Sequence, residues 1–294
     1  MSKKKTKSET KKDQPEIQYV KDSFPEYLSK KERISASDLK NFLKSPRRYF
    51  YEKNKKKEET EERHFTIGSA THEYIMEPEN FNNNYAVSQK FDKRTKAGKE
   101  AFAEFEEKNK GKSVINESEM EMIKEMSASC KMNRTFLEFM EDSLFEVSCY
   151  TTDQETGLLL RMRPDILPNN KNSIVDIKTC RESSLKAFKN DVYSYGYSLS
   201  GAFYLDFLKR ESYVFGAVEK TAPYQASLYV LSDEMMDYGR YQYRMGLDLM
   251  KWSLDNNYWC DYVEFELLKE CYLLGSLDDF FPTLKKSQLI QILE

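Results

Sequence analysis

Two short stretches near the middle of the chain, each containing an aspartate, constrain the fold more than any other part of the sequence. Residues 161–167 read Arg-Met-Arg-Pro-Asp-Ile-Leu, and residues 173–179 read Ser-Ile-Val-Asp-Ile-Lys-Thr. The alternating pattern of the second stretch predicts a strand with one buried face. Asp176 and Lys178 share the other face, because side chains two positions apart on a strand point the same way. Asp165 lies beside them if the two strands pair.

Two carboxylates held this close repel each other unless a cation lies near them. A hard divalent ion with oxygen ligands meets this requirement, and Lys178 then lies where an attacking water or a charged transition state would be. The pattern is short, and a β-hairpin whose charges are simply solvated is an alternative interpretation at this point.

The composition is typical of a globular protein with polar ends. At 294 residues, with 32% charged and 39% hydrophobic residues, the chain is long enough for one large domain or two small ones. The net charge of −3 does not indicate a nucleic-acid binder, although a basic surface can be local. We predict a disordered polar tail at residues 1–20, a single domain at residues 21–265, and a C-terminal extension with an interaction helix at residues 266–294.

The five cysteines are scattered along the chain, and none forms a CxxC pair. This spacing gives no support to a zinc ribbon or a local iron–sulfur cluster, and it predicts free thiols in a reducing cytoplasm. No apolar run approaches the length of a membrane span. The basic N-terminal residues are not followed by the apolar region of a secretory signal.

A helix predicted at residues 65–76 carries one of the two histidines of the chain. It reads Phe-Thr-Ile-Gly-Ser-Ala-Thr-His-Glu-Tyr-Ile-Met, so small residues precede His72 and allow close packing against a neighbour. With Pro164-Asp165 and Asp176-x-Lys178 further along, this order resembles the PD-(D/E)xK nuclease superfamily, and its RecB and RecE-like branch in particular. The resemblance implies that His72 is a metal ligand rather than a structural histidine.

A basic loop narrows the resemblance to RecE-like exonucleases of the exodeoxyribonuclease VIII type. Residues 91–99 read Phe-Asp-Lys-Arg-Thr-Lys-Ala-Gly-Lys and are similar to an Asp-Arg-Arg-Thr-Lys-Ala-Gly-Lys segment of that family. Five charges and a glycine before a helix suit a loop that contacts a phosphate backbone. The residues predicted to bind DNA are Arg47, Arg48, Lys93, Arg94, Lys96, Lys99, Arg161 and Arg163.

Three further residues match or depart from the same family. Glu146 lies on a predicted strand at residues 145–150, where the resemblance implies a glutamate close to the metal site, as a ligand or beside one. On a later helix the family usually carries a Gln-x-x-x-Tyr pair. This chain keeps Tyr204 but has Ser200 at the glutamine position, which shortens the hydrogen-bonding side chain there.

The resemblance implies an α/β fold with a central mixed β-sheet flanked by helices, as in the restriction-endonuclease-like core. It implies that Asp165, Asp176, the backbone carbonyl of Ile177 and His72 hold one or two Mg²⁺ ions, for which Mn²⁺ can substitute. In this family Lys178 would orient and activate the attacking water or stabilise charge.

The implied activity is that of an exodeoxyribonuclease that degrades one strand of linear double-stranded DNA, 5′→3′, during phage or prophage recombination in the bacterial cytoplasm. The implied partners are duplex DNA ends, a RecT-like single-strand annealing protein and further copies of the same chain. Three alternatives stay open. They are a structure-specific endonuclease of the same superfamily, an inactive nuclease-like module that binds DNA ends or a protein, and an iron–sulfur nuclease, which the scattered cysteines disfavour.

Overall fold

The computed structural model describes residues 16–55 and 63–286. Its helices are α1 (Phe24–Ser29), α2 (Ala36–Lys44), α3 (Pro46–Asn54), α4 (Arg63–Met76), α5 (Pro78–Asn84), α6 (Lys96–Lys108), α7 (Glu117–Met132), α8 (Arg134–Met140), α9 (Leu185–Ser194), α10 (Tyr197–Leu208), α11 (Asp233–Asn256), α12 (Tyr262–Leu273) and α13 (Phe280–Lys286). Its strands are β1 (Gln18–Val20), β2 (Tyr85–Ser88), β3 (Ser113–Asn116), β4 (Ser143–Phe145), β5 (Ser148–Thr152), β6 (Leu159–Met162), β7 (Ile166–Pro168), β8 (Ser173–Cys180), β9 (Ser212–Glu219) and β10 (Ala226–Val230).

A five-stranded mixed sheet forms the centre of the domain, with strand order β10-β9-β8-β7-β4. Strands β8 and β9 run parallel, and the other neighbours in this sheet are antiparallel. The central strand β8 carries Ile174, Val175 and Ile177, which are all fully buried. Because successive side chains point to opposite faces, burial of all three requires cover on both faces of the sheet.

Helices provide this cover. On one face, α10 and α11 pack with α2 around a large apolar core that includes Leu39, Phe203 and Phe215. On the other face, α4, α7 and α8 cover Val175 and Ile177. This architecture confirms the predicted α/β class with a central mixed sheet flanked by helices.

Local sequence explains where α2 begins. Ser35 accepts a hydrogen bond from the backbone N–H of Asp38 through its hydroxyl, and the Asp38 carboxylate accepts one from the Ser35 N–H. This reciprocal pair is a capping box, which satisfies N–H groups that a helix start leaves without partners. It fixes the start of a helix whose Leu39 and Phe42 are fully buried.

The chain between residues 143 and 168 is divided between two sheets. Strands β5 and β6 pair antiparallel in a three-stranded sheet with β1, whereas β4 and β7 belong to the central sheet. The continuous strand predicted at residues 145–150 is therefore wrong at Glu146, and the stretch at residues 161–167 is interrupted at Pro164. Proline has no N–H to donate to a strand ladder, and Glu146 has a φ of 50°, which interrupts extended backbone.

The N-terminal boundary of the domain also differs from the prediction. Gln18–Val20 forms β1 and pairs with β5, so the end of the predicted tail is part of a sheet. The capped helix α1 follows, and Ser23 and Glu26 form its capping box. Residues 1–15, where the rest of the predicted tail falls, lie outside the described residues.

The predicted boundary at residue 265 falls inside α12. Phe265 and Leu268 of this helix and Phe280 of α13 are buried in the main apolar core. The segment after residue 265 therefore completes the core of the domain as far as it is described. Residues 287–294 of the predicted extension lie outside the described residues.

The cysteines are free and buried, as their spacing predicts. Burial raises the pKa of the Cys130 and Cys149 thiols to about 12, so both stay protonated and unreactive at neutral pH. Within the described parts of the chain, no helix has the length and apolar character needed to cross a membrane.

Candidate active site

Asp165, Asp176 and Lys178 come together at one end of the paired strands β7 and β8. The Oδ2 atom of Asp165 accepts a hydrogen bond from the backbone N–H of Ile177 at 2.6 Å. The Asp176 carboxylate forms an ion pair with the Lys178 ammonium group, which follows from their positions on one face of the strand. Both aspartate side chains are 10% exposed. Pairing of the strands thus brings the three charged groups into one largely buried cluster.

His72 reaches the same cluster from helix α4. Its Nδ1 atom lies 3.6 Å from Asp165 Oδ2, and its imidazole also interacts with the backbone of Ile177. Ala70, two residues earlier, is fully buried in the apolar core between this helix and the sheet. The small side chains before the histidine therefore let α4 lie close to β8.

Glu146 completes the cluster although it does not lie on a strand. Its backbone N–H donates to the carbonyl of Asp165 at 3.1 Å, across the gap between the two sheets. Arg163 Nε donates to Glu146 Oε2 at 2.7 Å and holds the carboxylate in place. One candidate ligand atom from each of His72, Glu146 and Asp165 lies within 4.8 Å of the other two. These three residues converge on a common point.

Burial of so many charges shifts their pKa values. Burial, with the charge of Asp176 adding to it, raises the pKa of Asp165, and burial followed by the charge of Asp165 raises the pKa of Glu146 to about 7. Burial and then the Lys178 ammonium group lower the pKa of His72, so the imidazole is neutral. Burial also opposes the charge of Lys178, but Asp176 and Asp165 outweigh it and raise the pKa of this lysine.

The chemistry of these donors fits a hard divalent cation. Carboxylate oxygens with one neutral imidazole suit Mg²⁺ or Mn²⁺, and a bound cation would offset the burial and the mutual repulsion that raise the pKa values of Asp165 and Glu146. His72, Glu146 and Asp165 would hold the ion, with the Ile177 carbonyl beside them. Asp176, predicted as a ligand, is engaged by Lys178 in this structure, and Glu146 instead belongs to the converging set.

Replacing Glu146 with glutamine should make the metal-free protein relatively more stable as the pH rises from about 4.5 to 7. Glu146 has its pKa raised from 4.5 to about 7 on folding, so the folded chain binds more protons than the unfolded chain in this range. The contribution of Glu146 to the free energy of unfolding therefore falls with rising pH. Denaturant titrations of both proteins in EDTA measure the difference.

His72 is present in both proteins, so its effect cancels in the comparison. Its lowered pKa makes its contribution to the free energy of unfolding rise with pH, opposite to that of Glu146. Saturating Mg²⁺ should remove the pH dependence of the difference, since a cation favours the ionised carboxylate of the folded protein. Glu138→Gln, at a surface position, is the matched control and should follow the wild type. A difference between wild type and Glu146→Gln that is constant with pH would contradict the assignment.

Tyr204 supports the cluster from its buried side. Its hydroxyl accepts a hydrogen bond from the backbone N–H of Arg163 at 3.2 Å, immediately before Pro164. Ser200 lies one turn earlier on α10, and no hydrogen bond joins its hydroxyl to the cluster in the parts of the chain that the structure describes. The predicted contribution of Ser200 to the site stays a prediction.

Sequence reasoning missed Tyr213, whose hydroxyl interacts with the Asp176 carboxylate. Tyr213 lies near the start of β9, which begins at Ser212. Parallel pairing matches Asp176 with Phe215, so Tyr213 and Asp176 share a face of the sheet. The signal was present in the alternation of Tyr213, Phe215 and the residues after them.

Arg161 and Arg163, both predicted to bind DNA, face the protein interior. Arg161 donates to two backbone carbonyls of α1 and to the Asp38 carboxylate. Arg163 donates to Glu146, to the Ser148 hydroxyl and to a further backbone carbonyl. Their side chains are 9% and 10% exposed. The prediction of DNA contact is wrong for both, because their guanidinium groups are already bonded inside the protein.

The remaining residues predicted to bind DNA lie on the surface. They are Arg47 and Arg48 on α3, and Lys93, Arg94, Lys96 and Lys99 around the start of α6. Thr95 caps α6 by accepting a hydrogen bond from the Gly98 N–H at 3.0 Å, and a Cβ atom on Gly98 would lie 2.0 Å from the Asp92 carbonyl oxygen. The loop motif therefore has a structural role in starting the helix, and its contact with DNA stays a prediction.

Similarity to known proteins identifies the fold. A crystal structure of a putative exonuclease from Eubacterium rectale aligns with a TM-score of 0.56 and 14% identity, over 82% of this chain and 87% of that chain. The crystal structure of SSO0001 aligns with a TM-score of 0.34 and 13% identity, over 76% of this chain and 81% of that chain. No curated protein matches the sequence.

A family profile described as "PDDEXK-like domain of unknown function (DUF3799)" matches residues 35–269. This range includes His72, Glu146 and both aspartates of the cluster. The predicted membership of the PD-(D/E)xK superfamily is thereby confirmed. The chain belongs to this family of PDDEXK-like domains.

Proposed function

We propose that this protein is a metal-dependent exodeoxyribonuclease that degrades one strand of linear double-stranded DNA in the 5′→3′ direction. The observation that carries the proposal is the convergence of His72, Glu146 and Asp165 beside the Asp176–Lys178 ion pair. The Eubacterium rectale protein that shares the fold is described as a "putative exonuclease", which is in keeping with this activity. The basic segment at residues 91–99 supports the RecE-like type.

The reaction is hydrolysis of a phosphodiester, in which a water oxygen bonds to phosphorus while the bond from phosphorus to the leaving oxygen breaks. A bound divalent cation would offset the phosphate charge and polarise the water. His72, Glu146 and Asp165 would hold this cation. The raised pKa keeps Lys178 protonated, so it donates a hydrogen bond to the water or to a phosphate oxygen. Asp176 orients the ammonium group through their ion pair.

The biological role that we infer is resection of DNA ends in phage or prophage recombination. Resection of one strand exposes the other as single-stranded DNA, which a RecT-like annealing protein would bind. This role places the protein in the cytoplasm of a bacterial host. We infer, by analogy with RecE-like exonucleases, that the active assembly contains several copies of the chain.

Digestion of end-labelled duplex DNA tests the activity and its direction together. With Mg²⁺ or Mn²⁺, label at the 5′ ends of a linear duplex should be released before label at the 3′ ends, and EDTA should stop the reaction. Closed circular DNA should resist, because it offers no end. Asp165→Asn should be inactive, whereas Asp237→Asn, at an exposed position of α11, should digest like the wild type.

Each other outcome leads to a different function. Rapid cutting of closed circles would replace the exonuclease with an endonuclease of the same superfamily. Tight binding of DNA ends with no cleavage by any divalent ion would leave a binding module. Release of 3′ label first would reverse the proposed direction.

A further inference from the structure

Lys40 is a lysine beside the candidate active site that belongs to none of the recognised motifs. It lies on α2, and its ammonium group donates a hydrogen bond to the backbone carbonyl of Tyr195 at 3.3 Å. Its Nζ atom is 5.8 Å from the centroid of the Tyr197 ring, and Lys178 Nζ is 5.4 Å from the same centroid. Two ammonium groups therefore gather around one aromatic ring at the edge of the cluster.

The Lys40 ammonium group has a backbone carbonyl as its partner instead of a carboxylate. Among the described residues, no carboxylate oxygen lies within 4.0 Å of it. Burial lowers its pKa to about 8, and the charge of Lys178 is the next cause. Asp176 acts in the opposite direction but does not compensate. A partly buried cation near another cation is unfavourable unless an anion binds between or beside them.

Gly196 makes room for the Lys40 side chain. Its φ of 62° lies in the left-handed region that favours glycine, and a Cβ atom there would lie 3.1 Å from Lys40 Cδ. The turn at Gly196 separates α9 from α10, and the lysine stem lies against it. The ammonium group is thus held in place before any ligand arrives, which lowers the entropic cost of binding.

We propose that Lys40 binds a phosphate group of the DNA strand, next to the phosphate that is hydrolysed. This site rests on the proposed nuclease function and adds a substrate contact to it. Because both Nζ atoms lie within about 6 Å of the same ring centroid, they are at most about 11 Å apart, a span over which one strand presents consecutive backbone phosphates. The bound group is a backbone phosphodiester or a terminal phosphate monoester, which share the chemistry that Lys40 recognises.

Tyr195 adds a surface for the base attached to that phosphate. Tyr195 is 58% exposed, and the centroid of its ring lies 5.6 Å from that of the Tyr197 ring. An exposed aromatic ring beside a cation is the usual arrangement for binding unpaired nucleotides, since every base has a face that can stack. The backbone carbonyl of Tyr195 also accepts the hydrogen bond from Lys40, so the position of the stacking ring and that of the phosphate-binding ammonium group are fixed by the same residue.

Replacing Lys40 with methionine, which keeps the apolar stem, should weaken DNA binding about tenfold and reduce the slope of log Kd against log salt by about one. Fluorescence anisotropy with short duplexes between about 50 and 200 mM salt measures both values, in EDTA so that no hydrolysis occurs. Lys44→Met is the matched control, because Lys44 is exposed one turn further along α2. It should leave the slope unchanged.

Modified duplexes identify which phosphate is bound. If Lys40 contacts a backbone phosphate, one neutral methylphosphonate near the end should weaken wild-type binding and leave Lys40→Met unaffected. If it contacts a terminal phosphate, omission of the 5′ phosphate should have this effect. Lys40→Arg should retain the wild-type slope, because the charge is kept.

Three results would overturn the Lys40 site. The first is a lowered melting temperature for Lys40→Met with wild-type Kd and slope, which would make Lys40 a helix-capping residue. The second is an equal loss in Lys44→Met, and the third is a Lys40→Met defect that persists on every modified duplex. If the wild type digests DNA and Lys40→Met binds DNA normally, the Lys40 site is rejected and the nuclease function is retained. If the slope of log Kd against log salt falls in Lys40→Met but the wild type digests no DNA, the Lys40 site is retained and the nuclease function is rejected.

Discussion

Replacing Lys178 with methionine should lower the rate of DNA hydrolysis about a thousandfold. The carboxylates of Asp176 and Asp165 raise the pKa of Lys178, so the group lost is a charged hydrogen-bond donor at the point where negative charge develops on phosphate. Methionine keeps most of the apolar stem and removes only the ammonium group, whose Nζ atom lies 5.4 Å from the centroid of the Tyr197 ring. Single-turnover digestion of a linear duplex with saturating Mg²⁺ measures the rate, and circular dichroism checks the fold.

Lys171→Met is the matched control for this experiment. Lys171 lies in the turn at the opposite end of β7 and β8, where its ammonium group is 3.6 Å from the Glu138 carboxylate. Its removal should leave the rate of hydrolysis unchanged. A Lys178→Met protein that is folded and retains more than about a tenth of the wild-type rate would contradict the role of Lys178 in stabilising charge.

The cluster around Lys178 was predictable from sequence where it depends on local periodicity. Two residues on one strand share a face whatever the rest of the fold does, which is why Asp176 and Lys178 could be paired in advance. The placement of Asp165 and His72 needed the order of motifs as well, because no local rule brings a helix and two strands to one point. The fold class followed from the same resemblance.

Glu146 illustrates a part of the site that periodicity could not predict. The residues around it alternate like a continuous strand, but the structure breaks there, and Glu146 takes a positive φ. Its N–H instead pairs with the carbonyl of Asp165 across the gap between two sheets. A break of this kind depends on where the partner strand leaves the sheet at Pro164, which is a long-range property of the fold.

Lys40 and Tyr213 were missed for a related reason. Each lies on an element whose sequence reads as ordinary, a capped amphipathic helix for Lys40 and a buried strand for Tyr213. Their positions near Asp176 and Lys178 arise from packing of α2 and β9 against β8 and α10. Sequence spacing carries no information about such contacts.

The burial of Arg161 was unpredictable because the N-terminal segment covers it. On strand β6 alone the arginine would point to solvent, where a role in DNA binding is natural. Helix α1 and the start of α2 lie over that face, and they supply the backbone carbonyls of Tyr27 and Leu28 and the carboxylate of Asp38 as partners. The arginine therefore joins the N-terminal segment to the sheet.

Replacing Arg161 with methionine should lower the free energy of unfolding by about 3 kcal/mol, since loss of one partner of a buried ion pair is costly and leaves the Asp38 carboxylate with its longer ion pair to Lys53, at 3.7 Å. The buried carbonyls of Tyr27 and Leu28 would also lose their donor. Urea denaturation should show a lower midpoint with an unchanged slope. Arg94→Met is the control: its side chain is 91% exposed, and its midpoint should match the wild type. DNA binding by folded Arg161→Met should keep the wild-type salt dependence, and a reduced slope with unchanged stability would restore Arg161 as a phosphate contact.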